Sequence, residues 1–407
     1  MLASVTRGKT MRESWRWFGP ADPVSLEDVR QTGATDIVSA LHHIAAGDVW
    51  TLDEIRERQV QIENAAAGVV PLRWSVVESI PVHEDIKLGR PGCEVYVDNW
   101  IASMENLAQC GIKTICYNFM PVIDWTRTDL KFPLPDGSYA LRFDQVAFAA
   151  FDLFILERES AAAEYSGAET REARAFFEAM TSEAKQQLVQ TVIAGLPGKM
   201  TDSYGLEDFR AALENYRGIS REQLRQNLCA FLDKVLPRAE QLGVKLAIHP
   251  DDPPRDLLGL PRIICTAADL ERLFQHCPSP ANGITLCVGT YSSRPDNDLP
   301  AMARQFAGRI HFAHLRNVRR DPGEPRSFFE ASHLDGDTDM VQVIRALLQE
   351  EGRRREGGAA AEIFIRPDHG HQMLDDRSKS VNPGYSCIGR LKGLAEIRGV
   401  VAALSAG

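Results

Sequence analysis

The sequence predicts an α/β fold, a (β/α)8 TIM barrel with a long helical insertion between strands 3 and 4. Two observations predict it. Eight short apolar runs recur along the 407 residues, mostly alternating with segments of helical periodicity, as strands buried on both faces of a parallel sheet do. Several of these runs end in a polar or ionisable residue, and barrels of this kind carry their chemistry at strand C-terminal ends. A doubly wound sheet is the alternative, but no GxGxxG follows an early strand.

The first run is "TDIVSALHHI" (35–44). The segment after it, "TLDEIRERQVQIENAA", suits a helix begun at a Thr51 N-cap, with acids in its first turn and Leu52, Ile55, Val60 and Ile62 along it. "RWSVVESIPVHEDI" (73–86) leads into a helical "NWIASMENLAQCG" that stops at Gly111. "KTICYNFMPVIDW" (113–125) is the third run. A stretch over 126–235 follows that reads as several helices, the last of them the barrel helix before the next strand. Then come "GVKLAIHPDDPP" (243–254), "GITLCVGTYSS" (283–293) and "RIHFAHLRNV" (309–318). A weaker candidate, "SFFEASHLDGD" (327–337), precedes the amphipathic "MVQVIRALLQEEGRRR", and "AAEIFIRPDHGH" (360–371) is the eighth. The closing "IGRLKGLAEIRGVVAAL" is a helix able to cover the barrel. The expected organisation is one domain over 12–407 that includes the insertion. Residues 1–11 are expected to be a disordered extension, because "MRESW" reads as a second possible start.

Composition narrows the function classes. A net charge of −10 and a pI near 5.6 argue against nucleic-acid binding, which needs clustered Lys and Arg. The eight cysteines show no CxxC pair and read as reduced thiols. No apolar stretch of about 18 residues suggests a membrane span. A cytoplasmic protein is expected.

The later strand ends carry the clearest chemical signal. His249, Cys287, His314 and Asp368 each close an apolar run, and a barrel brings such positions to one rim. Together they offer N, S and O donors suited to a divalent transition metal. Singly, each has a plainer reading: a strand-end histidine is more often structural, and a lone Cys in "TLCVG" is more often a small buried hydrophobe. Arg366 and Arg316 beside them could grip a carboxylate bidentately, or simply brace the rim. Glu78, His83 and Asp85 follow the second run, and Asn118, Asp124 and Arg127 the third; these are weak signals. His42 and His43 alternate to opposite sides of their strand, so at most one should face the site. "NPGYS" (382–386) reads as a turn presenting Tyr385.

Beyond these positions, "WRWFGPADPVSLEDVRQTGATDIVSALHHI", "WSVVESIPVHEDIK", "YNFMPVIDWTRTDL", "HPDDPPRDLLGLPRI", "RPDHGHQMLDD" and "NPGYSCIGRLKGLAEIRG" closely resemble the D-mannonate dehydratases of the xylose-isomerase-like barrel type. The resemblance runs from about residue 12 to 400. It implies conversion of D-mannonate to 2-dehydro-3-deoxy-D-gluconate and water in hexuronate breakdown, with Mn2+ as cofactor. It also implies His249, Cys287, His314 and Asp368 as the metal ligands, and His369 and Tyr385 as the catalytic pair. Arg366, Arg316, Asn118 and His83 are the expected substrate contacts. A cysteine ligand is softer than Mn2+ prefers, so Fe2+ or Co2+ is also compatible. Of the pair, Tyr385 is the preferred base and His369 the acid. A homo-oligomer, taken as a dimer, is expected as well. The rival reading is a metal-dependent sugar isomerase or epimerase on the same barrel.

Overall fold

The computed structural model describes residues 11–64, 69–193, 205–358 and 362–406. Among them run strands β1 (Arg12–Arg16), β2 (Asp36–Ser39), β3 (Arg73–Glu78), β4 (Thr114–Tyr117), β5 (Asp129–Pro133), β6 (Tyr139–Phe143), β7 (Lys245–Ile248), β8 (Asn282–Cys287), β9 (Ile310–His314), β10 (Asn317–Asp321), β11 (Glu324–Ala331) and β12 (Phe364–Arg366). Eight of them form a closed parallel barrel in the order β1-β12-β9-β8-β7-β4-β3-β2. The other four make an antiparallel sheet, β10-β11-β6-β5.

The barrel is as expected, but its membership differs in two places. β1 has no apolar run to announce it: "RESWR" is mostly charged, because Arg12 pairs with Asp36, Glu13 with Arg398 and Arg16 with Glu78. The run at 327–337, expected as a barrel strand, lies outside the barrel. Its strand portion, β11, instead pairs antiparallel with β10. The few residues between them, around Pro322 and Gly323, are far too short for the crossover that parallel neighbours require. With β1 included, the insertion falls between the fourth and fifth barrel strands. Nor is it purely helical. It opens with the β5–β6 hairpin, followed by the helices Gln145–Ala150, Gly167–Ala179, Ser182–Ile193 and Leu206–Glu214. The barrel helix Arg221–Leu242 closes it.

Local signals for the remaining helices hold. Thr51 caps Leu52–Glu63, its hydroxyl accepting from the Glu54 N–H, and Glu94–Gln109 ends just before Gly111 at φ +81°. Of the expected extension, residues 1–10 lie outside the described residues. Met11 does not belong to it: its side chain is buried and its N–H donates to the Glu351 carboxylate at 2.9 and 3.0 Å. Among the described residues no helix is long and apolar enough to cross a membrane.

The period of a strand explains what the barrel holds over its centre. Val38, Val76, Cys116, Ala247, Phe312 and Phe364 form an inner cluster, while alternate residues such as Val77, Ile115, Leu246, Ile284 and Ile365 pack outward on the helices. Two residues further along each strand, the same inward face presents Glu78, Asn118, His249, His314 and Arg366. Thr285, bonded to Ala247 O at 3.1 Å, puts Cys287 in the same upper layer.

Candidate active site

That upper layer borders a cavity lined by Arg16, Glu78, Asn118, Trp125, His249, Asp252, Arg316, Arg366, Asp368, His369 and Tyr385 among others. Strand register aligns its members: Cys287 stands opposite His314, and His314 opposite Arg366. One ligand atom each from His249, Cys287 and His314 lies within 4.8 Å of the other two. Asp368 abuts this trio, its Oδ2 3.7 Å from Cys287 Sγ and 3.8 Å from His314 Nδ1. It reaches that position through a left-handed turn at φ +66°, an uncommon conformation for a residue with a side chain.

The trio fits a bound cation. His249 turns Nδ1 to the Pro250 carbonyl at 2.7 Å, so Nδ1 carries the proton and Nε2 offers a lone pair. Such a bond on the other ring nitrogen is the usual device that orients a ligating histidine. Burial lowers the His249 pKa further, which keeps the ring neutral. Fully buried His314 accepts from Arg366 Nη2 at 3.4 Å on Nδ1, so the lone pair sits on that nitrogen, which stands 3.8 Å from Asp368 Oδ2 in the cluster. Asp368 supplies the negative charge. Burial pushes its pKa up, but Arg366, His369, His314 and Arg316 hold it well below the usual carboxylate range.

His369 and Tyr385 meet beside this cluster, their rings edge to face at 5.0 Å, with Trp125 edge-on to His369 at 6.2 Å. Two glycines permit the approach. Gly370 lies so close to the helix Cys387–Ser405 that a Cβ would come 2.2 Å from Arg390 N. Gly384, at φ +79°, leaves room that a Cβ would take from Leu141 and His369. The Gly370 N–H donates to Gly384 O at 2.8 Å and ties the two segments together. Gly370 therefore serves close packing. His369 Nδ1 bonds Glu330 Oε1 at 3.0 Å. Burial raises the Glu330 pKa, but Arg316, His369 and Arg127 bring it down to about 2. For Tyr385 burial dominates, and its pKa is pushed up to about 12.

Not every sequence-predicted residue plays the expected part. Arg366 bridges Asp368 and Glu78, the latter at 2.9 Å. Arg316 spans Asp252 at 2.6 Å, Glu330 at 2.5 Å and Asp368 at 2.7 Å. Both line the cavity as expected, with guanidinium groups paired to the carboxylates there. Asn118 lines the cavity as expected. His83 is not brought to it: the ring caps the short helix Glu84–Leu88 and stacks on Tyr96 at 3.7 Å. His42 and His43 border a second cavity instead. His371 donates from Nε2 to the Glu330 carbonyl at 2.9 Å and supports the strand that carries Glu330. Sequence reasoning passed over Arg16 and Glu330. The available signal for Glu330 was its place two residues from buried Phe328, an acid on the inward side of "SFFEA".

A model of the D-mannonate dehydratase (UxuA) family matches residues 11–407. The chain belongs to the D-mannonate dehydratase family. A mannonate dehydratase of Chromohalobacter salexigens is 55% identical over 394 residues, covering 97% of this chain and 99% of that protein. One from a Marinomonas species is 54% identical over 390 residues, covering 96% and 98%. The crystal structure of mannonate dehydratase from Streptococcus suis serotype 2 superimposes with a TM-score of 0.73 at 36% identity, covering 98% of this chain and 94% of that one. The isomerase or epimerase reading is not favoured by these matches.

Proposed function

We propose that this member of the D-mannonate dehydratase family removes the C2 proton and the C3 hydroxyl of D-mannonate, giving 2-dehydro-3-deoxy-D-gluconate and water in cytoplasmic hexuronate breakdown. The observation that carries the reading is the convergence of His249, Cys287, His314 and Asp368 beside the His369–Tyr385 pair, within one buried cavity of a family member. A divalent ion on those four side chains, Mn2+ first and Fe2+ or Co2+ next, would supply positive charge to offset the negative charge of the substrate C1 carboxylate and that left at C2 by proton removal.

The chain's own groups account for the proton transfers. Glu330 accepts from His369 Nδ1 and so leaves the neutral ring with its lone pair on Nε2, the arrangement of a general base. Tyr385 keeps an O–H to give to the departing hydroxide, which is too poor a leaving group to depart unprotonated. These roles reverse the preference formed on the sequence. Arg366 and Arg316 hold Asp368, Glu78 and Glu330 in place, and Asn118, whose Oδ1 accepts from the Met120 N–H at 3.4 Å, meets substrate hydroxyls from the cavity wall. Trp125 and the surrounding buried side chains limit water at the reacting carbons. Assembly as a homodimer belongs to the same proposal.

The test is chemical. D-mannonate incubated with manganese-loaded protein should yield a 2-keto-3-deoxy acid, read as semicarbazone absorbance, whereas an aldose–ketose isomerase would give none. Chelation should abolish the signal and Mn2+ restore it. Unchanged turnover after complete metal removal would sink the proposal.

A further inference from the structure

A second group of metal-type donors lies outside the cavity lining. The helix Ala267–His276 ends in His276 and Cys277, which face Cys229 on the helix Arg221–Leu242. One ligand atom from each lies within 4.8 Å of the other two. Asp233 follows Cys229 by four residues, hence on the same helix face, and its Oδ2 stands 3.6 Å from His276 Nε2. Cys277 is buried, Cys229 half-buried and His276 exposed, so the group opens to solvent on one side.

Its place in the barrel separates it from the catalytic cluster. The Cys277 carbonyl accepts from Asn282 Nδ2 at 3.0 Å, and Asn282 opens β8 whereas Cys287 ends it. Five residue steps of strand, roughly 17 Å, lie between the two levels. The catalytic cluster sits on the C-terminal rim. This one lies in the outer helical layer, where Cys277 is tied to the start of β8. No step of the proposed reaction uses it.

We propose that Cys229, Cys277 and His276 form a second metal site, specific for a thiophilic divalent cation of the zinc class, with Asp233 beside the histidine ring. Two sulfurs and an imidazole are donors that zinc favours, with water or the Asp233 carboxylate left to complete four-coordination on the open side, while Mn2+ and Mg2+ prefer oxygen. The two thiols lose their protons to solvent on binding. The ion would clip together two neighbouring helices of the outer layer.

Cobalt offers a readout independent of activity. Metal-free protein, reduced and kept anaerobic, would be loaded with Co2+, desalted and analysed for cobalt per chain and for thiolate-to-cobalt absorption in the near ultraviolet. The expected result is two Co2+ per parent chain and one in C229S/C277S, with weaker thiolate absorption. Turnover of D-mannonate by the manganese-loaded variant should equal that of the parent. H276A changes an exposed position and guards against misfolding of the double variant; it too should drop to one. A parent chain holding a single Co2+, or both variants holding two, would overturn the site. So would a thiol titration of the denatured metal-free parent that finds six free groups instead of the eight in the sequence, because the pair would then be a disulfide.

Discussion

Glu330 settles more of the site's chemistry than its inconspicuous sequence setting suggests. It accepts the hydrogen bond from His369 Nδ1–H at 3.0 Å while Arg316 and Arg127 anchor the same carboxylate oxygen. E330Q should therefore leave metal content and KM nearly unchanged and lower kcat on the order of 10²-fold, since the ring loses its fixed tautomer. Steady-state kinetics with metal analysis on the same sample checks this; a near-normal kcat would make Glu330 merely structural. Y385F should cost about 10² to 10⁴-fold in kcat with metal retained, because only the hydroxyl is removed. C287S should weaken metal retention at the rim, measured as loss of one equivalent on dialysis. At this scale the strand-end residues were legible because a barrel repeats its inward face every two residues. His83 misled because it ends a similar run yet lies beyond the strand, where it caps a helix.

At the scale of elements, the antiparallel sheet β10-β11-β6-β5 was the part least visible in sequence. A single run such as "SFFEA" carries no mark of parallel or antiparallel pairing, and only the short turn before it hints at a hairpin. Yet this sheet brings Glu330 over the barrel mouth, and the segment 366–376 is tied to it through Tyr139 and Gln372, bonded at 3.0 and 2.9 Å. β1 was hidden for the opposite reason, since its charges are neutralised only by partners distant in sequence. The contact between segment 366–371 and the final helix gives a direct check on packing. G370A would drive a methyl group into the Arg390 backbone and should destabilise the fold by about 1–3 kcal/mol or more. G399A, on the same helix with open space around it, should instead stabilise by about 0.5–1 kcal/mol. Thermal unfolding of the two variants in parallel reads both; equal shifts would contradict the packing described.

For the whole molecule, buried histidines set the response to acid. His42 and His311 are held neutral by burial, with nearby cationic side chains adding to the effect, and each pKa is lowered to about 3 from 6.5. Between those values the unfolded chain binds protons that the native state refuses, so stability is full above 6.5 and falls as the pH drops toward 3. Each group contributes at most about 1.4 kcal/mol per pH unit in that window. Denaturant midpoints should decline from pH 7 to 4, less steeply in H311Q; a slope unchanged in that variant would remove His311 from the account. The central claim is that the rim cluster and the His369–Tyr385 pair together dehydrate D-mannonate. Its most direct test is the turnover of D-mannonate by the manganese-loaded parent and Y385F, with rim metal measured in the same samples. The account predicts 2-keto-3-deoxy product from the parent, and near loss of product with full metal in Y385F. Absence of product from the metal-loaded parent, or undiminished product from Y385F, would contradict it.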